Sequence, residues 1–72
     1  MITLWKYESA PENLRDLSRG QNPQTWVVWA PASLSALVEA FLELNGAAHR
    51  DRYEMPDATV VFFCPDSNRS EV

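Results

Sequence analysis

The chain has 72 residues, with ten Asp or Glu against six Lys or Arg and a formal charge of −4. That length makes one domain with a small core, and 46% apolar residues exclude general disorder. The acidic balance disfavours nonspecific nucleic-acid binding, which rests on clustered Lys and Arg, and permits a basic protein partner instead.

Cys64 is the only cysteine, so no internal disulfide can form and a reducing, cytoplasmic setting is expected. His49 is the only histidine, and one Cys with one His does not make a structural zinc pattern. No metal or cofactor is expected. No apolar run reaches the length of a membrane span, and the N-terminus lacks a signal-peptide pattern. A domain this small commonly relies on a disulfide, a metal or association. Of these, a partner or a second copy of the chain is the one left.

In chain order, "MITLWKY" is β-branched and aromatic and reads as a strand. "SAPENLRDLSRG" reads as a short helix: Ser9 and Glu12 have capping-box spacing, Pro11 suits the first turn, and Gly20 suits the end. Its apolar stripe is only Leu14 and Leu17. "TWVVWAP" reads as a second strand, with valines at its centre and Pro23 and Pro31 as borders. A strand points Trp26 and Trp29 to opposite faces.

"SLSALVEAFLELNG" predicts the main core helix, over about residues 33–45. Leu34, Leu37, Val38, Phe41, Leu42 and Leu44 recur at helical spacing, opposite Ser35, Glu39 and Glu43. Ser33 is the expected N-cap and Gly46 the expected residue after the C-cap. Residues 49–55 alternate in a way that suits an exposed edge strand, although a loop fits them too. "MPDA" reads as a tight turn, and "ATVVFFC" as a strand apolar on both faces, closed by Pro65. Residues 66–72, "DSNRSEV", read as a flexible polar tail beyond a single domain of residues 1–65.

The expected fold is α/β, in the order β-α-β-α-(β)-β, with a three- or four-stranded mixed sheet and two helices. That order resembles the thioredoxin-like core, but no C-x-x-C and no final helix accompany it, and order alone carries no function. The first helix offers too little apolar surface to cover a whole sheet face. Some of Trp5, Trp26, Trp29, Phe62 and Phe63 are therefore expected on a face the chain does not cover, with at least one tryptophan facing a partner. Glu39 and Glu43, one turn apart on the second helix, could dock a basic surface. Arg50 and Arg52, with His49, make the one basic cluster and could grip a carboxylate or phosphate or simply guard a sheet edge. Trp5, Trp26, Trp29, Glu39, Glu43, Arg50, Arg52 and Tyr53 are the candidate partner-binding set.

A thiol-dependent enzyme would have to use Cys64 with His49. A cysteine after "VVFF" is more often a buried strand residue, so this is a remote alternative. "HRD" at 49–51 lacks the other parts of a kinase site, and Gly20 and Gly46, the only glycines, form no phosphate loop.

"LWKYESAPENLRDLS" followed by "WVVWAP" resembles small proteins of bacteriophages and prophages with the form LW-[KR]-[FY]…AP…LR-x-LS, over about the first 30 residues. The resemblance implies a phage-encoded accessory protein in the host cytoplasm. Anti-CRISPR proteins are similar in length, charge and lack of enzymatic signature. By that analogy of class, the expected function is a non-catalytic inhibitor that covers a surface on a larger host protein or ribonucleoprotein complex, without binding nucleic acid directly. The alternative is a self-associating structural or regulatory module, such as a homodimer.

Overall fold

Two β-branched runs, residues 26–31 and 58–64, pair side by side and form the centre of a four-stranded sheet. The computed structural model describes residues 1–65, so the polar tail expected at 66–72 lies outside the described residues. The elements are β1 (Thr3–Lys6), a 3-10 turn (Tyr7–Ser9), α1 (Glu12–Arg15), β2 (Trp26–Pro31), a second 3-10 turn (Ala32–Leu34), α2 (Ser35–Leu44), β3 (Ala48–Met55) and β4 (Ala58–Cys64). Residues 49–55 are thus a strand, and their hairpin with β4 turns at Pro56–Asp57 as the sequence predicts.

The α/β class and the element order are as expected, but the sheet is not mixed. Its spatial order is β1-β2-β4-β3, and every neighbouring pair is antiparallel. A parallel relation does exist between β2 and β3, which α2 connects. The hairpin sends β4 back into the gap between them, so no parallel pair shares hydrogen bonds.

Alternation along the strands divides the core in two. On the helix face, Val28, Ala30, Val61 and Phe63 pack under Val38 and Leu42 of α2. On the loop face, Val27, Val60 and Phe62 pack under Ala10 and Leu14, with Trp5, Tyr7, Leu17, Trp29, Tyr53 and Met55 around them. β2 and β4 are apolar on both faces because both faces are covered, and Val27, Val60 and Phe62 are wholly buried.

The helix ends differ from expectation at their starts. No side chain caps α1 or α2, so neither the Ser9–Glu12 box nor Ser33 acts as a cap. Prolines do the work instead: Pro11 is the residue before α1, and Pro31 leads into the 3-10 turn that α2 continues. α1 closes after one turn because only Leu14 of its four residues is buried, too little packing to propagate a helix. The C-terminus of α2 follows the pattern the glycine predicts. Gly46 (φ 61°) donates its N–H to the carbonyl of Glu43, and Ala47 donates to that of Leu42, the paired bonds of a Schellman cap.

Candidate binding face

A helix about 10 Å across covers roughly two strands spaced about 4.8 Å apart. Four strands therefore leave room for two helices on one face. Among the described residues only α2 lies on the helix face, where Val38 and Leu42 seat it over β2 and β4. One of its flanks carries charge. Glu39 accepts hydrogen bonds from Arg50 (3.0 Å) and from Arg52, both on the edge strand β3. Arg52 also donates through Nε to Glu54 (2.6 Å), which accepts a further bond from the Thr59 hydroxyl (3.2 Å).

The opposite flank of α2 carries Leu37, Phe41 and Leu44, at i, i+4 and i+7. Leu37 and Phe41 face Ile2 and Leu4 of the β1 segment across a gap that no other described residue fills, while Leu44 lies outside the lining. The result is an apolar groove of about 330 Å³, lined by Ile2, Leu4, Val28, Leu37, Val38 and Phe41. A second, shallower hollow continues it past Leu4 and Phe41 to Trp26, Phe63 and Pro65. Exposure is 41% for Ile2, 44% for Leu4, 57% for Leu37, 43% for Phe41 and 81% for Leu44. Lys6 closes the far end with its ammonium 5.7 Å from the Trp26 ring centroid.

The three tryptophans are all half-buried, on the faces their positions dictate. Trp26 stands at the end of the groove on the helix face. Trp5 and Trp29 belong to the loop-face cluster, as does Tyr53, whose ring meets Phe62 edge-on at 5.8 Å. The loop face is covered after all, because the segment between β1 and β2 supplies Ala10 and Leu14 and the aromatic rings pack over the sheet beside them. The large apolar groups left exposed are aliphatic or phenyl and lie on the other face.

Of the remaining candidate residues, Glu39, Arg50 and Arg52 meet in the charge network at β3. Glu43 is exposed on α2, apart from that network. The candidate set therefore divides among four places: the groove end, the loop-face core, the β3 edge and, for Glu43 alone, the exposed surface of α2. Ile2, Leu4, Leu37 and Phe41 were not singled out as a site by sequence reasoning. The signal was present in α2, whose apolar residues span a wider arc than one sheet contact needs.

Cys64 lies beside Thr25, with the sulfur 3.6 Å from the hydroxyl oxygen. The other half of the thiol pairing, the His49 side chain, lies outside the described atoms. Nearby, Ser18 and Gln21 both donate to Asp51 (3.1 and 3.2 Å), and Thr25 bonds to Gln21 and Asn22 (3.3 and 3.2 Å). This network ties the loop before β2 to β3.

The network on β3 has a measurable consequence. The hydrogen bond from Arg52 holds the Glu54 carboxyl below its ordinary range; the Thr59 bond adds to this, and partial desolvation opposes it. A lowered folded-state value means that this contribution to stability is present above the unfolded-state pKa and fades as pH falls through the folded one. In a carboxyl-detected NMR titration, the Glu54 midpoint should lie below that of an unpaired glutamate and rise in Arg52→Gln. An unmoved midpoint would show that the pair does not form in solution.

Compared with known proteins, the chain matches no family model, no curated protein and no solved structure. The functional reading rests on the geometry above.

Proposed function

We propose that this chain is a non-catalytic protein-binding protein that acts through the apolar face between β1 and α2. The groove lined by Ile2, Leu4, Leu37 and Phe41 carries this reading. Five large apolar side chains exposed along one face are a costly arrangement in so small a domain, since covering each is worth roughly 1.5–3 kcal/mol. Faces of that kind are interaction sites. The position of the charges supports the same reading: the ionic network faces β3, away from the groove, and leaves the groove lining free of ionisable groups.

Two partners fit this role. In the inhibitor reading, which the resemblance of the N-terminal stretch to phage proteins implies, the face covers a surface on a larger complex of a bacterial host, in the cytoplasm. In the self-association reading it meets another copy of the chain. Among the described residues no helix is long and apolar enough to cross a membrane.

Substituting Leu4→Asp or Leu37→Asp tests the shared claim. Each should abolish stoichiometric protein association, measured by affinity capture from bacterial lysate together with sedimentation of the purified chain. Circular dichroism should stay unchanged, because both side chains are already solvent-exposed. Association that survives both substitutions would rule out this face.

A further inference from the structure

We infer that the occupant of the β1–α2 groove is the α2 helix of a second copy of this chain, forming a two-fold dimer. The inference rests on the protein-binding reading and names the partner. Among the described residues the sheet has one helix on that face, and an apolar groove, the slot, lies beside it, between α2 and β1. What fits beside α2 and above β1 is an amphipathic helix with an apolar flank. α2 itself carries such a flank. Leu37, Phe41 and Leu44 form a ridge on α2 that its own sheet does not bury.

Ridge and slot lie on the same face, which is the condition for a self-complementary, isologous contact: each copy can offer its ridge to the other's slot in one rotation. The outward side of α2 presents Ala36, Ala40 and, one turn further, Glu43, all exposed. The two alanines let a second layer come close.

Area and charge are consistent with this partner. Ile2, Leu4, Leu37, Phe41 and Leu44 together expose on the order of 500 Å² per copy, or about 1,000 Å² for two, the lower bound for a specific interface. The chain carries −4, so two copies repel overall. The groove lining is free of ionisable groups and Glu39 is paired on the far flank with Arg50 and Arg52, which leaves Glu43 as the acidic group of α2 nearest the seam.

The two sheet edges also differ. β3 carries Arg50, Asp51, Arg52 and Glu54, charges that discourage pairing, whereas β1 has only Lys6. Association is thus discouraged at β3 and left open on the β1 side.

The test is sedimentation velocity on the full chain from about 1 to 500 µM. The variants are Leu37→Asp and Leu44→Asp on the ridge, Leu4→Asp in the slot, and Glu12→Gln on α1 as a control. The wild type and Glu12→Gln should sediment as dimers at the upper concentrations. Ridge and slot variants should weaken the dimer at least about thirtyfold while keeping the wild-type circular dichroism. A dimer indifferent to all three aspartates would overturn the inference, and so would a wild-type monomer throughout the range. If that monomer captures a lysate protein in a Leu37-dependent way, the protein-binding reading survives and the second copy is excluded. If capture is indifferent to Leu37, both fail.

Discussion

Phe62→Ala should remove about 3–5 kcal/mol of stability, the cost of emptying a fully buried phenyl site. A domain of this length is stable by only about 4–11 kcal/mol, so the variant should lose at least about a quarter of its stability and, at the lower bound, retain about 1 kcal/mol or less. Phe62 is at the centre of the loop-face cluster, with Tyr7 at 6.1 Å and Tyr53 at 5.8 Å, and neither ring can refill the space without abandoning its own contacts. Phe41→Ala makes the contrast. Its ring is 43% exposed and meets the core only at the edge of Phe63, at 6.5 Å, so about 1 kcal/mol is expected. Urea unfolding followed by circular dichroism measures both. Equal losses at the two positions would mean that α2 and β4 do not pack as described.

The second large effect separates stability from association. Leu42 is wholly buried between α2 and the sheet, and Leu42→Ala should cost about 2–5 kcal/mol. Leu37, one turn earlier on the same helix, is more than half exposed. Leu37→Asp should change stability by no more than about 0.5 kcal/mol, yet weaken association by about 2 kcal/mol or more, because it places a carboxylate in a desolvated seam. Denaturation and binding measurements on the two variants should therefore cross. If Leu37→Asp were as destabilising as Leu42→Ala, Leu37 would belong to the core and the groove would not be open.

Much of this fold is legible in the sequence because its signals are local. The run "TVVFF" and the valines between Trp26 and Trp29 specify strands buried on both faces, and Gly46 marks the end of α2 through the positive φ its cap requires. Antiparallel pairing throughout was not legible. Whether β4 lies outside β3 or slips between β3 and β2 is a long-range choice, and no residue within either strand encodes it. The caps failed for a related reason: Ser9 and Ser33 have the right spacing, but the adjacent prolines set the backbone differently and the chain enters each helix through a 3-10 turn or directly from proline.

The candidate site was half legible. Aromatic surplus pointed to more apolar surface than one small sheet ordinarily needs. It did not show which face retains it, because the cover of the loop face comes from the irregular segment around Ala10 and Leu14, which has no periodic signature. The tryptophans sit in or beside the core while the exposed surplus falls on Leu4, Leu37, Phe41 and Leu44. Glu39 reads as solvent-facing from its helical position. Only the tertiary placement of Arg50 and Arg52 on β3 gives it ionic partners, on the flank of α2 opposite the groove.

Methyl NMR on leucine- and isoleucine-labelled chain, followed through dilution and through addition of any captured partner, tests the binding face most directly. The resonances of Ile2, Leu4, Leu37 and Leu44 should shift and broaden together, while those of Leu14 and Leu17 on the loop face stay in place. Movement of Leu14 and Leu17 with the groove methyls unchanged would contradict the assignment and transfer the binding surface to the loop face.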